Sequence, residues 1–141
     1  MSHASTFANP SDAAAQGILN DLRYRPYVVR EETPVANRVE RVMRALVPGR
    51  IVGADSWIRT GGGNVTTADV RINGATVIAA VMSHDGATDA ELIEAALKTD
   101  HADYDATDKV IKFDAGDVIS VVWTALGAGA AGGQVQVNVQ F

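Results

Sequence analysis

The sequence predicts an all-β fold: a jelly-roll-like β-sandwich or barrel of about seven or eight strands, with one short inserted helix and an extended N-terminal arm. Three observations predict it. From Gly133 to Phe141 the chain alternates strictly, with Val135, Val137, Val139 and Phe141 on one face and Gln134, Gln136, Asn138 and Gln140 on the other. That is the period of a half-buried strand. Asn73-Gly74 sits between two alternating runs, and a type I′ hairpin needs positive φ at both central residues, which Asn and Gly supply most easily. Turn signals recur roughly every 8–15 residues, a spacing that suits short antiparallel strands.

Residues 1–38 form the predicted arm and 39–141 the β-domain. Ser11 can cap a short helix over Asp12 and the alanines after it, weakened by Gly17. Tyr24 to Arg30 is extended, held so by Pro26 and β-prone residues. So polar a segment buries little against itself. It reads either as a frayed terminus or as an arm that docks on a neighbour through Arg23, Tyr24, Arg25, Tyr27, Val28 and Arg30. Residues 38–47 carry Val39, Val42, Met43 and Leu46 at helical spacing, yet Pro48-Gly49 behind them is a turn suited to two strands.

Arg50–Arg59 is the next strand, ending at three glycines, and Asn64–Ile72 follows with Ala68, Val70 and Ile72 on one face. After the Asn-Gly hairpin, Thr88-x-x-Glu91 reads as a capping box ahead of Leu92, Ile93, Ala96 and Leu97, so a helix is expected over 88–98. Residues 100–108 form an Asp-rich loop. Lys109–Phe113 and Asp117–Thr124 are strands, and Trp123 belongs in the core. Trp57 suits either core or interface. The long connection from 81 to 108 fits a crossover between two sheets, as a jelly roll requires.

Arg50-Ile-Val-Gly-Ala-Asp55, Ala68-Asp-Val-Arg-Ile-Asn-Gly-Ala-Thr-Val-Ile78 and Phe113-Asp-Ala-Gly-Asp-Val-Ile-Ser-Val121 form an ordered series ahead of the terminal alternating strand. Over residues 38–141 this series resembles the small jelly-roll domains of tailed-bacteriophage structural proteins. The resemblance pulls residues 38–47 from helix to strand. It implies a virion component, first of all a capsid decoration protein on the outer surface of the head. Its partners would be the phage major capsid protein and further copies of itself, as a homotrimer. The alternative is a tail, baseplate or head-fibre module that binds a host glycan or another tail protein. The docking residues expected are those of the arm, with Trp57.

No residue pattern points to catalysis. There is no G-x-S-x-G, and the glycines at 61–63 lack the Lys-Ser/Thr and helix of a phosphate loop. His3, His84 and His101 stand far apart, so neither zinc nor any other metal or cofactor is expected. Asp103, Asp105, Thr107 and Asp114 can be laid on a calcium-loop spacing. However, Asp108 stands where that loop needs Gly and Asp114 where it needs Glu. The Asp-rich segment therefore reads as a solvated loop. A net charge of −5 argues against a nucleic-acid partner, which calls for a basic stripe. The chain has no cysteine, which excludes disulfides and thiolate metal sites. It shows neither a signal-peptide pattern nor an apolar run long enough to span a bilayer, so no membrane association is expected.

Overall fold

The computed structural model describes residues 24–31 and 38–141. Among them the chain runs β1 (Tyr24–Glu31), β2 (Arg38–Arg44), β3 (Gly49–Thr60), β4 (Thr66–Ile72), β5 (Ala75–Thr76), β6 (Met82–His84), β7 (Glu91–Ala95), β8 (Tyr104–Asp105), β9 (Val110–Phe113), β10 (Val118–Ala125) and β11 (Ala131–Gln140). Two antiparallel sheets hold all of them. The larger has the order β1-β11-β3-β9-β8, with β7 also on β3. Strand β11 takes one edge of β3, while β9 and β7 share the other, at Gly49–Ile51 and Ala54–Ile58. The smaller has the order β2-β10-β4-β5, with β6 sharing the far edge of β4.

The chain thus passes back and forth between the sheets, with β1, β3, β7–β9 and β11 in the larger and β2, β4–β6 and β10 in the smaller, and early strands pair with late ones: β1 with β11, β2 with β10. This nested pairing is the double Greek key of a jelly roll. The expected sandwich is present, and the crossover lies where the sequence places it, since β6 belongs to one sheet and β7 to the other.

The core forms where the two inner faces meet. Val29, Ile51, Ala54, Val135, Val137 and Val139 come from the larger sheet; Ala68, Val70, Ile72, Ile119, Val121 and Trp123 come from the smaller. Every second residue of β11 from Val135 to Val139 is buried, so its alternation is fixed by burial of one face. Trp123 is fully enclosed. Its indole N–H has no acceptor among the described residues, and nothing in the structure explains that. Asn73 (φ 49°) and Gly74 (φ 84°) make the predicted I′ turn, with Ile72 opposite Ala75.

Some expectations are corrected. The helix over 88–98 is absent, and Glu91–Ala95 is the strand β7, paired with β3 from Ala54↔Ala95 to Ile58↔Glu91. A long central strand whose second edge lacked partners would leave backbone groups unsatisfied, and this requirement overrides local helical propensity. The capping-box residues serve a turn instead: Asp89 accepts the Gly61 N–H at 2.9 Å, and Ala90 at φ 53° donates to Arg59 O at 3.0 Å.

Residues 38–44 form β2, the strand to which the resemblance pulls them rather than the helix their spacing suggests, because β10 offers them a strand edge. The boundary expected at residue 38 falls at the start of β2, and β1 ahead of it pairs with β11, so strand pairing reaches into the segment read as an arm. Val29 of β1 is a fully buried core residue. Phe141, expected inside, is 43% exposed and lies edge-on to Phe113, with ring centroids 6.2 Å apart.

The glycine loops pack tightly at one end of the sandwich. A Cβ on Gly127 would stand 2.1 Å from Asn64 O, and one on Gly86 would stand 2.6 Å from the Asn64 carbonyl carbon. The tip at Gly61–Gly63 is tied down by the Gly63 N–H, which donates to Ala128 O at 2.7 Å.

Two substitutions on β11 test this register. Val137→Asp places an unpaired charge between the sheets, which costs several kcal/mol, and should abolish cooperative unfolding. Gln136→Lys, on the outer face opposite Asp55, should cost no more than about 0.5 kcal/mol. Urea titration followed by tryptophan fluorescence compares them. Comparable losses would show that both faces of the strand are covered.

Candidate functional site

The outer face of the larger sheet collects the side chains that β1, β11, β3 and β7 turn away from the core. The register sets them in rows. Arg30, Gln134, Trp57 and Leu92 form one row across the four strands, and Val28, Gln136, Asp55 and Glu94 form the next. Leu92 is 57% and Val28 42% exposed, so apolar and charged groups share this surface.

Of the residues expected to dock a partner, this face brings together Val28, Arg30 and Trp57. Tyr27 turns the other way and packs against the core. Tyr24 and Arg25 lie on β1 opposite Gln140 and Val139. Arg23 is outside the described residues.

At one end of this face is an open depression of ≈ 240 Å³ lined by Arg30, Trp57, Arg59, Gly132 and Gln134. Arg30 Nε donates to Gln134 Oε1 at 3.2 Å, which orients the guanidinium along the row. Gly132, at φ +71°, lets Arg59 lie close across it: a Cβ there would meet Arg59 Cβ at 2.7 Å. Sequence reasoning missed Arg59, Gly132 and Gln134. Alternation identifies outward positions, but only the pairing of β3 with β11 places Arg59 over Gly132 and Trp57 beside Gln134.

The neighbouring row is acidic. Asp55 and Glu94 face each other across β3 and β7. Partial burial, then the Glu94 charge, pushes the Asp55 carboxyl above its ordinary range. The face is therefore polarised, with cations at one end and a carboxylate pair beside them.

Beneath the surface, Ser56 of β3, His84 of β6 and Glu91 of β7 stand in a line. Ser56 Oγ is 2.8 Å from His84 Nε2, and His84 Nδ1 is 3.5 Å from Glu91 Oε1. The order is that of a hydrolytic triad. However, Ser56 and His84 are both fully buried, and a nucleophile with no exposure meets no substrate. The geometry instead ties the two sheets together, a polar bond across a largely apolar interior. Burial lowers the His84 pKa, and the Glu91 carboxylate offsets this only in part.

In the Asp-rich loop the carboxylate of Asp105 closes a turn. Asp105 Oδ1 accepts the N–H groups of Thr107 at 2.9 Å and Asp108 at 3.2 Å, while its other oxygen meets Lys112 Nζ at 2.8 Å. The Lys112 hydrogen bond first, then these backbone donors, hold its pKa down at about 2. Asp69 is buried and saturated by Arg71 Nε at 2.8 Å, Thr76 Oγ1 at 2.7 Å and the Val70 N–H at 2.9 Å. No group of three or more His, Asp or Glu side chains suited to a metal ion occurs among the described residues.

No family model matches the chain, and no curated protein matches it. Solved virus-particle structures are similar to it at low identity. The T=1 particle derived from infectious bursal virus aligns at 13% identity and TM-score 0.40, over 84% of this chain and 32% of that one. The Gx strain of infectious bursal disease virus aligns at 15% and 0.37, over 82% and 32%. The VP2 subviral particle of infectious bursal disease virus aligns at 15% and 0.36, over 84% and 33%. The chain thus spans about a third of the length of each of these chains.

The buried histidine predicts a pH dependence. Its folded pKa lies below the ordinary 6.5, so its contribution to stability is complete above that value and is lost as pH falls through the folded pKa. Between pH 7.5 and 5 the urea midpoint of the wild-type protein should fall. His84→Gln should start lower and stay nearly flat over the same window. Parallel slopes for the two proteins would remove His84 from the account. Asp105 acts in a separate window: with a folded pKa of about 2 against an ordinary 3.8, its contribution is lost only below about pH 4.

Proposed function

We propose that this protein is a structural component of a virion, a decoration protein on the outer surface of a tailed-phage head. The observation that carries this reading is the strand order. The double Greek key links the very segments that resemble phage jelly-roll proteins: β3, the β4–β5 hairpin, β10 and β11. Jelly rolls serve as capsid and lectin domains and as cupins, and fold alone does not choose among them. The chemistry of the interior supports the first two. The space between the sheets is filled by apolar side chains, whereas a cupin-type site gathers polar ligands there.

The role is mechanical. Surface buried at many repeated contacts stabilises a shell by mass action and avidity, with no bond-making step. The contacts we assign to it are the outward positions Val28, Arg30 and Trp57, together with β1-flanking residues of the arm. The partners are the major capsid protein and neighbouring copies, arranged as a homotrimer. A second reading, a tail, baseplate or head-fibre module that binds a glycan, is favoured by one observation, the open Arg- and Trp-lined depression on the same face.

Copy number separates the two. Quantitative mass spectrometry of purified particles should find hundreds of copies per virion for a decoration protein and a handful for a tail module. Truncation tests the arm. Removing residues 1–22 leaves β1 whole, so the protein should stay folded yet bind particles at least tenfold more weakly. Undiminished binding would discard the arm as a clamp. Removing residues 1–30 takes away most of β1 and should unfold the domain.

A further inference from the structure

We infer that the apolar residues just ahead of β1, Ile18, Leu19 and Leu22, dock in a second depression, at the end of their own sandwich. This depression of ≈ 240 Å³ is lined by Pro48, Gly49, Phe113 and Phe141, with Arg50 and Lys112 on its rim. Gly49 lets the Phe113 ring lie across it, since a Cβ there would stand 2.6 Å from Phe113 Cζ. Leu46 and Val47 lead into Pro48 and are 87% and 51% exposed. Scattered exposed hydrophobes are ordinary, but a group of them around a hollow marks a contact surface. The surface is also held in place. The Ala45 N–H donates to Asp117 O at 2.8 Å and the Gly116 N–H to Ala45 O at 2.7 Å, which fastens the turn at 45–48 to the β9–β10 turn.

The cations on the rim do not call for an ionic ligand. Arg50 meets Asp108 at 3.4 Å and Lys112 meets Asp105 at 2.8 Å, so both have partners. What the depression offers is aromatic and aliphatic surface, in a hollow smaller than a drug-sized pocket. The aliphatic side chains of a peptide fit it.

Chain geometry says which peptide. Tyr24, Gln140, Arg50 and Lys112 stand in one row across β1, β11, β3 and β9. At the usual strand spacing Tyr24 is about 10 Å from Arg50. Strand β1 begins at this end of the sandwich, so the chain ahead of it enters beside the depression. Leu22 is two residues ahead of Tyr24 and Ile18 six, and six residues span at most about 20 Å. A segment tethered this closely meets its own depression at an effective concentration on the order of millimolar, above that of a second copy in dilute solution. Among the described strands β1 pairs with β11 alone. The docked segment would therefore pin the start of an edge strand while covering the patch. This latch is a contact within one chain, distinct from the particle contact proposed above.

Disulfide trapping tests it, because the chain has no cysteine of its own. Ile18→Cys, Leu19→Cys and Leu22→Cys are each combined in the full chain with Val47→Cys, and with Val65→Cys as control. Val65 is 49% exposed and follows Asn64, which packs against the glycine loops at the opposite end of the sandwich. Under mild oxidation at least one pairing with Val47→Cys should close within the chain at least about tenfold faster than its control. Equal rates would overturn the proposal. Cross-linked dimers whose yield rises with protein concentration would also overturn it and assign the depression to a second copy. A second readout uses Val47→Cys alone. Replacing Ile18, Leu19 and Leu22 together by serine should raise its labelling by a soluble thiol reagent on the order of threefold, with a urea titration showing that the sandwich is still folded. Unchanged labelling would overturn the latch whatever the trapping shows. Particle binding enters neither measurement, so the decoration reading keeps its own test.

Discussion

Strand β11 is the element on which the architecture depends. It lies between β1 and β3 and supplies backbone partners to both. Its inward valines fill the space against the smaller sheet. The two roles constrain each other. A slip of one residue in either pairing would turn Val135, Val137 and Val139 outward and bring four amide side chains into the core. The burial of three valines therefore fixes the register on both sides at once, and with it the rows of the outer face. The depression inherits its geometry from that register: Arg30 stands opposite Gln134 and Trp57 opposite Gln134 only because Val135 must point in.

What the sequence made legible follows from how local each signal is. The hairpin at Asn73-Gly74 needs only two adjacent residues to meet a φ requirement, and it is where they place it. The alternation of β4 and β11 is equally local. Strand β7 was misread because Leu92, Ile93, Ala96 and Leu97 satisfy helical spacing as well as a strand does, while the demand that decides the matter comes from the open edge of β3. Strand β1 was read as an arm because its partner lies at the far end of the sequence. The docking positions Val28, Arg30 and Trp57 were visible as outward, aromatic or basic residues. Their convergence with Arg59, Gly132 and Gln134 was not, since three strands distant in sequence contribute to it.

Charge is distributed with the same economy. On the outer face, cations occupy one end and the Asp55–Glu94 pair the next row, so the surface presents a dipole despite the acidic balance of the chain. Within the fold, polar groups appear where they join elements that apolar contact alone would leave free to slide. Ser56 and His84 connect the sheets, and Asp69 fastens β4 to Thr76 of β5. A buried polar group is costly unless satisfied, so each such bond permits one alignment and penalises its neighbours.

The nested pairing of early strands with late ones has a consequence in time. When β1 and β2 leave the ribosome, β10 and β11 do not yet exist, so both must wait unpaired until nearly all the later strands have been made. Contacts so distant in sequence close slowly, and an exposed edge in the interval invites wrong partners. The same topology slows the reverse process. β11 is flanked on both sides within its sheet and β10 likewise within its own, so neither strand can leave without breaking two ladders. A fold built this way is late to close and late to open. Its endurance is then a matter of rate, set by the barrier to parting the central strands rather than by the net free energy of folding.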